Sequence, residues 1–386
     1  MRSRVFSGVA ACMVLGVGAL AAAGCSTSSS SSASSSGAQS AEVGSAAIPS
    51  IVNLACSKDE GLKGKVVGLN FAQSQSLFSQ LQADIEKFAA LSRCGLTFKV
   101  TNAQGDPSTQ VQQAEQLIAD KVDLLFTNPS EAPGWQAVGP LAKANNTIWM
   151  NWSSVIEPDA TVNATVAQAL AGSLVAEPVA QWINKYQGGH AQVAMLVSLT
   201  DPGFKARATA FEARLKQLVP GVQFVGTGNG GFSSPQTGQQ STLNLIQAHP
   251  DLKVIFADWD AATIGAVQAA RSLGKTDPHQ FFIAGQDGST EQLQEMQKPG
   301  SVLQATGGLI FRYDAGIIVR DMEMLLMHQT VLPTRYLIPK LITADTVQQF
   351  LKLQDDPFNN ANSYVFNEIT KYYPYHSTPT TKQPAM

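Results

Sequence analysis

From Lys65 onward the chain alternates short β-rich runs with amphipathic stretches, and that alternation narrows its fold more than any other feature. Parallel neighbours need a crossover long enough to hold a helix, so repeated strand-helix-strand segments predict a parallel sheet covered by helices. Lys65 to Phe71 reads as the first strand. Leu77, Phe78, Leu81, Ile85, Phe88 and Leu91 then recur at helical spacing, which gives this segment one face to pack on the sheet. Leu96 to Thr101, Asp123 to Thr127 and Thr147 to Trp152 follow as strands, with Ser108 to Ala119 among the helices. After a bridge near Thr161 to Asn163 the pattern restarts. Ala164 to Tyr186, Phe204 to Leu218, Gln236 to Ala248 and Ala261 to Leu273 read as helices, and Gln192 to Leu199, Gln223 to Gly226, Val254 to Ala257 and Phe281 to Ala284 as strands. Val302 to Thr306 and Asp314 to His328 add a strand and a helix, and Leu337 to Thr343 reads as one last strand. The predicted class is α/β, with two Rossmann-like lobes built on parallel sheets in tandem. From Thr346 the chain becomes polar and later Pro-rich, and its aromatic residues between Phe358 and Tyr375 would supply what order the tail has.

The N-terminus says where such a chain resides. Arg2 and Arg4 precede an apolar run from Val5 to Ala23, and Ala22-Ala23-Gly24-Cys25 resembles a bacterial lipobox, whose cysteine is acylated after cleavage. Cys25 is therefore the expected lipidation site; the alternative is an ordinary secretory signal with an incidental cysteine. A Ser/Ala/Gly tract with no charge before Glu42 follows as a flexible tether. Roughly 330 residues remain beyond it, more than one small core usually organises. Of 26 Lys and Arg, two leave with the signal; the remaining 24 face 29 Asp and Glu, a net charge of −5 with no basic block, so nucleic acid is not an expected partner. Cys12 also leaves with the signal. Cys56 and Cys94 remain and, in an oxidising compartment, are expected to pair; two buried thiols are the alternative.

Open parallel sheets bind ligands beyond the carboxyl ends of their strands. Here Asn70-Phe71-Ala72-Gln73, Asn128-Pro129, Asn151-Trp152, Asp258-Trp259-Asp260 and Gln286-Asp287-Gly288 all end predicted strands with polar or aromatic groups. Aromatic faces beside amides and carboxylates suit a neutral polyhydroxyl ligand, whose C–H faces stack on rings while planar side chains meet its hydroxyls.

From Lys65 to Thr343 the pattern resembles the ribose- and galactose-binding group of type I periplasmic solute-binding proteins, the receptors of sugar ABC transporters. Ile255-Phe256-Ala257-Asp258-Trp259-Asp260 followed by Ile264-Gly265-Ala266 resembles one strand-end turn of that family, and Ile283-Ala284-Gly285-Gln286-Asp287-Gly288 another. Leu77-Phe78 stands where the family has paired aromatics, and Leu124 to Pro129 is similar to its Asn-Pro strand. The resemblance implies two lobes joined by a three-segment hinge, with crossings near Thr161, Ile310 and Tyr336. The implied boundaries are a signal at 1–24, a tether at 25–50, a first lobe of 51–162 plus 310–335, a second of 163–309 plus 336–345, and a tail of 346–386. Ligand contacts implied for the first lobe are Gln75, Phe78, Asn151 and Trp152; for the second they are Arg207, Phe232, Trp259 and Asp287. Asn151-Trp152-Ser153 stands where the family commonly has Asp-Arg, and Trp259-Asp260 where it has Asn before Asp. Both changes put an aromatic where a hydrogen-bonding group is usual, which turns the expectation from ribose toward another pentose, a hexose or an open-chain polyol. Structural alternatives stand beside these roles: Asp287 as a helix cap, the tryptophans and phenylalanines as core, Arg207 as a surface cation.

Catalytic signatures are missing. Gly226, Gly228 and Gly231 spell a GxGxxG, but Phe232 to Pro235 intervene before the helix. No GxxxxGK[ST], GxSxG or HExxH occurs, so no catalytic residue, cofactor or metal is expected. The implied function is a lipid-anchored, monomeric receptor that captures a neutral sugar or polyol and delivers it to a membrane permease driven by a separate ATPase. The alternative is a sugar-sensing lipoprotein coupled to a signalling receptor. A repressor of the lac type would need an N-terminal helix-turn-helix where this chain has its apolar run.

Overall fold

The computed structural model describes Cys56 and residues 60–73, 76–129, 134–154, 156–198, 201–231 and 234–355. Cys25, Gln75, Phe232, the signal and tether, and the tail from 356 lie outside them.

The first sheet is built from β1 (Val66–Phe71), β2 (Thr97–Asn102), β3 (Leu124–Asn128), β4 (Ile148–Trp152) and β5 (Val162–Val166), joined through α1 (Ser76–Ser92), α2 (Pro107–Ala119) and α3 (Val138–Ala144). The chain then enters α4 (Gln168–Tyr186) and a second series: β6 (His190–Val197), α5 (Pro202–Leu218), β7 (Gly221–Asn229), α6 (Pro235–Ala248), β8 (Leu252–Ala257), α7 (Asp260–Ser272), β9 (Phe282–Asp287), α8 (Thr290–Met296) and β10 (Leu303–Gly308). It returns through α9 (Phe311–Leu326), and β11 (Thr334–Leu337), β12 (Lys340–Thr343) and α10 (Val347–Asp355) end the described chain. The two six-stranded sheets have the orders β11-β5-β4-β3-β1-β2 and β12-β10-β9-β8-β6-β7. Every pairing is parallel except the antiparallel β12 on β10. In both lobes the strand order reverses beside the first strand, the place where open α/β sheets leave a crevice.

Three expectations need correction. The bridge near Thr161 to Asn163 is the start of β5, which pairs with β4 and β11, so residues 163–166 belong to the first sheet. Leu337 to Thr343 is two elements: β11 lies beside β5, and β12 lies across the hinge beside β10. Tyr336 and Leu337 therefore sit on the first sheet, and the three crossings fall at 166–168, 308–311 and 337–340. Finally, the stretch after Thr346 opens with a packed helix, α10, whose Val347 and Phe350 are buried.

The buried strands are nearly continuous apolar runs, as expected for sheets covered on both faces. Helix starts are fixed by side-chain caps: Asp106 and Asp201 each precede a proline and accept from the third following amide, Thr109 and Phe204. Close helix pairs need glycine. A Cβ on Gly172 of α4 would stand 1.9 Å from the Arg207 carbonyl oxygen of α5, and one on Gly265 of α7 would stand 2.1 Å from that of Pro235 at the start of α6. Trp135 and Trp149 stack 6.2 Å apart inside the first lobe, with Trp149 Nε1 donating to Thr127 at 2.9 Å, and serve as scaffold. Cys56 and Cys94 form a disulfide with Cα atoms 5.8 Å apart. No helix among the described residues is long and apolar enough to cross a membrane.

Candidate functional site

The carboxyl ends of β3, β4, β5 and β9 face one cavity between the lobes, with about 60 Å³ open to the centres of water molecules. From the first lobe come Leu77 and Phe78 at the start of α1, Asn128 and Pro129 after β3, Trp152 to Ser154 after β4, Ala164 to Val166 on β5, Phe311 on α9 and Leu337 on β11. The second lobe supplies Gln168, Asp201, Phe204, Arg207, Trp259 and Asp287, and Leu309 lies at the crossing. One apolar cluster of buried residues takes members from both lobes around this cleft.

Two aromatic groups bound the cavity. On the first lobe Trp152 meets Phe78 edge-on, with ring centroids 6.4 Å apart, and Phe311 at 6.2 Å. Asp314 of α9 holds the indole by accepting from Trp152 Nε1 at 2.6 Å, and Arg335 of β11 in turn donates to Asp314 at 3.2 Å. On the second lobe Phe204 stacks on Trp259 at 6.1 Å, and the Arg207 guanidinium lies 4.9 Å from the Phe204 ring centre.

Arg207 organises the polar wall. Its Nε donates to the Gln168 side chain, and its Nη1 donates at 2.8 Å both to the Asp258 carbonyl and to Asp287 Oδ1. Arg207 and Asp287 form an ion pair with side chains 3 and 7% exposed, so each charge depends on the other. Asp287 has φ +75°, a strained backbone for a residue other than glycine, and Gly288 after it has φ +65°. That turn ends β9 and aims the carboxylate at Arg207. Asp201 caps α5 and also accepts from Ser154 Oγ of the opposite lobe at 2.5 Å, which ties the two rims together.

Burial pushes the carboxyl groups at these strand ends up. Asp258 is raised to about 7, burial outweighing its hydrogen bond from the Ser198 amide and the nearby Arg207. Asp260 is also raised to about 7, by burial and by the neighbouring Asp287. Asp287 itself is raised by burial, against the pull of Arg207. With Arg207 matched by Asp287 and no lysine in the lining, the cavity offers no spare cation for an anion.

The structure thus brings Phe78, Trp152, Arg207, Trp259 and Asp287 together around one cavity. Asn151 does not line it: its amide nitrogen donates to Asn163 Oδ1 at 2.8 Å, between β4 and β5. Gln75 and Phe232 fall outside the described residues. Sequence reasoning missed Gln168, Asp201, Phe204, Phe311 and Asp314. Asp201-Pro202 carried a legible helix-start signal, whereas Gln168 and Asp314 reach the site only through tertiary packing.

Residues 66–308 match the family model of the periplasmic binding protein domain, and the chain belongs to that family. It is a solute-binding protein and not an enzyme. It is 28% identical over 242 residues to the ribose import binding protein of Bacillus subtilis, covering 60% of this chain and 72% of that one. Among solved structures, the arabinose ABC transporter binding protein of Shewanella sp. ANA-3, bound to L-arabinofuranose, superposes with a TM-score of 0.67 at 17% identity, over 78% of this chain and 99% of the other. An ABC transporter solute-binding protein from Bacillus halodurans with bound myo-inositol gives 0.65 at 18% identity, over 75 and 97%. Both structures share the two-lobed α/β fold described above.

Proposed function

We propose that this chain is a lipid-anchored receptor that captures a neutral sugar or polyol between its lobes and delivers it to an ABC importer. The observation that carries this reading is the cavity at the carboxyl ends of both sheets, with aromatic faces on either lobe and an arginine and a carboxylate already neutralised against each other. Stacking surfaces and planar hydrogen-bonding groups suit a monosaccharide-sized polyol, and the absence of an unmatched cation in the lining disfavours a phosphate or carboxylate ligand. The relatives and structural neighbours named above, which bind or import ribose, arabinose or inositol, support the same class. Closure would proceed by hinge motion about the three crossings. Thermal melting against a panel of sugars, polyols, sugar phosphates and amino acids tests the ligand class. A ligand at 100 times its dissociation constant raises stability by ~2.7 kcal/mol, and stabilisation by sugar phosphates or amino acids alone would reject the reading.

The anchor is Cys25, set by the apolar run before it and the serine tether after it. Cys25→Ala is expected to release the protein from membranes with ligand affinity unchanged. Mass spectrometry of the mature N-terminus checks this; a chain beginning elsewhere, or without lipid at Cys25, would refute it.

A further inference from the structure

Among the described strands, β2 ends the first sheet with only β1 beside it. Thr97 and Ala103 donate to the carbonyls of Lys65 and Phe71, so in this parallel ladder the odd-numbered residues face β1 and the amides of Phe98 and Val100 point out from the edge. Leu96, Phe98 and Val100 alternate along that edge and, with Ala89 and Ala90 of α1, line an open groove. Val100 is 41% exposed, a large apolar side chain at a position where sheet edges usually carry charge or cover.

The disulfide delivers one segment of the chain to this edge. It sets the Cα of Cys56 5.8 Å from that of Cys94, two residues before Leu96. The chain after Cys56 turns back onto the same loop, where the Glu60 and Leu62 amides donate to the Arg93 and Cys94 carbonyls at 2.7 and 2.8 Å. The chain before it, Ile48-Pro49-Ser50-Ile51-Val52-Asn53-Leu54-Ala55, lies outside the described residues; it is rich in aliphatic and β-branched side chains, and no charge stands between Glu42 and Lys58. We propose that Ser50 to Ala55 adds an antiparallel strand to the edge of β2 and covers the groove. The direction follows from connectivity, since Cys56 ends the segment and Cys94 precedes β2. Continuing the Cys56–Cys94 pairing sets Leu54 beside Leu96 and Val52 beside Phe98, while Pro49 falls at the strand start, where no ladder amide is needed. A second copy could cover the same edge, but the disulfide holds this segment beside β2 without a cost of association. Resting on the reading of Cys25 as the anchor, the added strand brings the serine tether out at the carboxyl end of the first sheet, the end that faces the cleft.

Hydrogen exchange, read by mass spectrometry on the mature protein with Cys25→Ala, tests this in the absence of lipid, so its outcome does not depend on whether Cys25 is acylated. The amides of Phe98 to Val100 and of Ile51 to Ala55 are expected to be protected together. Val52→Asp places a charge on the groove face and should speed exchange of both segments by at least about tenfold, whereas Asn53→Asp, on the opposite face, should leave both slow. The proposal is overturned if Ile51 to Ala55 exchange at the rate of an unstructured peptide, a reading that needs no variant, or if Val52→Asp melts like the wild type and leaves Phe98 to Val100 unchanged. Protection of Phe98 to Val100 that rises with protein concentration, in a chain that sediments as a dimer, would give the edge to a second copy and overturn it likewise.

Discussion

Asp287 bears three burdens: a left-handed backbone, a buried carboxylate and the only ion pair facing the cavity among the described residues. Alanine there would leave Arg207 charged and unpaired in the interior, so Asp287→Ala is expected to lower the stability of the ligand-free protein by ~3–5 kcal/mol as well as weaken binding. Asp287→Asn keeps an acceptor and tolerates positive φ, and should cost less. Urea denaturation of both variants checks the order. Asp258 and Asp260 make a separate prediction. Their folded-state values of about 7 stand above the ordinary carboxylate value of 3.8, so the folded protein holds these protons where the unfolded chain has lost them. That contribution is complete below about pH 4 and is lost as pH rises to about 7, so the melting temperature should fall over this window. Asp258→Asn, which keeps an acceptor for the Ser198 amide, should flatten the fall; a melting temperature that rises from pH 5 to pH 7 would contradict it. Asp287 and Trp259 were legible in the sequence because strand-end turns announce themselves by glycine and acidic residues after a β-rich run. The roles of Gln168 and Asp314 were not, since a residue that positions Arg207 or Trp152 from another element leaves no local pattern.

At the scale of elements, the long periodic helices and buried strands were readable, and the errors lie where an element is short or crosses the hinge. β5 has five residues and no amphipathic neighbour of its own, so it read as a bridge. Leu337 to Thr343 reads as one strand, though Pro339 breaks the ladder and separates the end of β11 from β12. The nine residues of α10 were hidden in a polar tail because only Val347, Phe350 and their near neighbours face the core. Helix spacing carries a testable consequence for binding. Gly172→Ala would force α4 from α5 at the Arg207 carbonyl, and overpacking of this kind costs ~1–3 kcal/mol. Since the same turn of α5 presents Arg207, melting temperature and ligand affinity should fall together, and a variant that loses neither would show that the helices part freely.

Across the whole molecule, two sheets of the same order are set with their carboxyl ends toward a shared cleft, and the chain crosses between the lobes three times. The bond from Ser154 to Asp201 joins the two rims of this cleft. The most direct test is calorimetric titration of the wild type and of Trp259→Ala with the sugar or polyol that gives the largest thermal stabilisation, at low and at high salt. One neutral ligand should bind per chain with affinity nearly independent of salt, and loss of the Trp259 face should weaken it by about tenfold. Tight binding of a phosphorylated sugar, a nucleoside phosphate or an amino acid, with no binding of neutral sugars or polyols, would contradict the account.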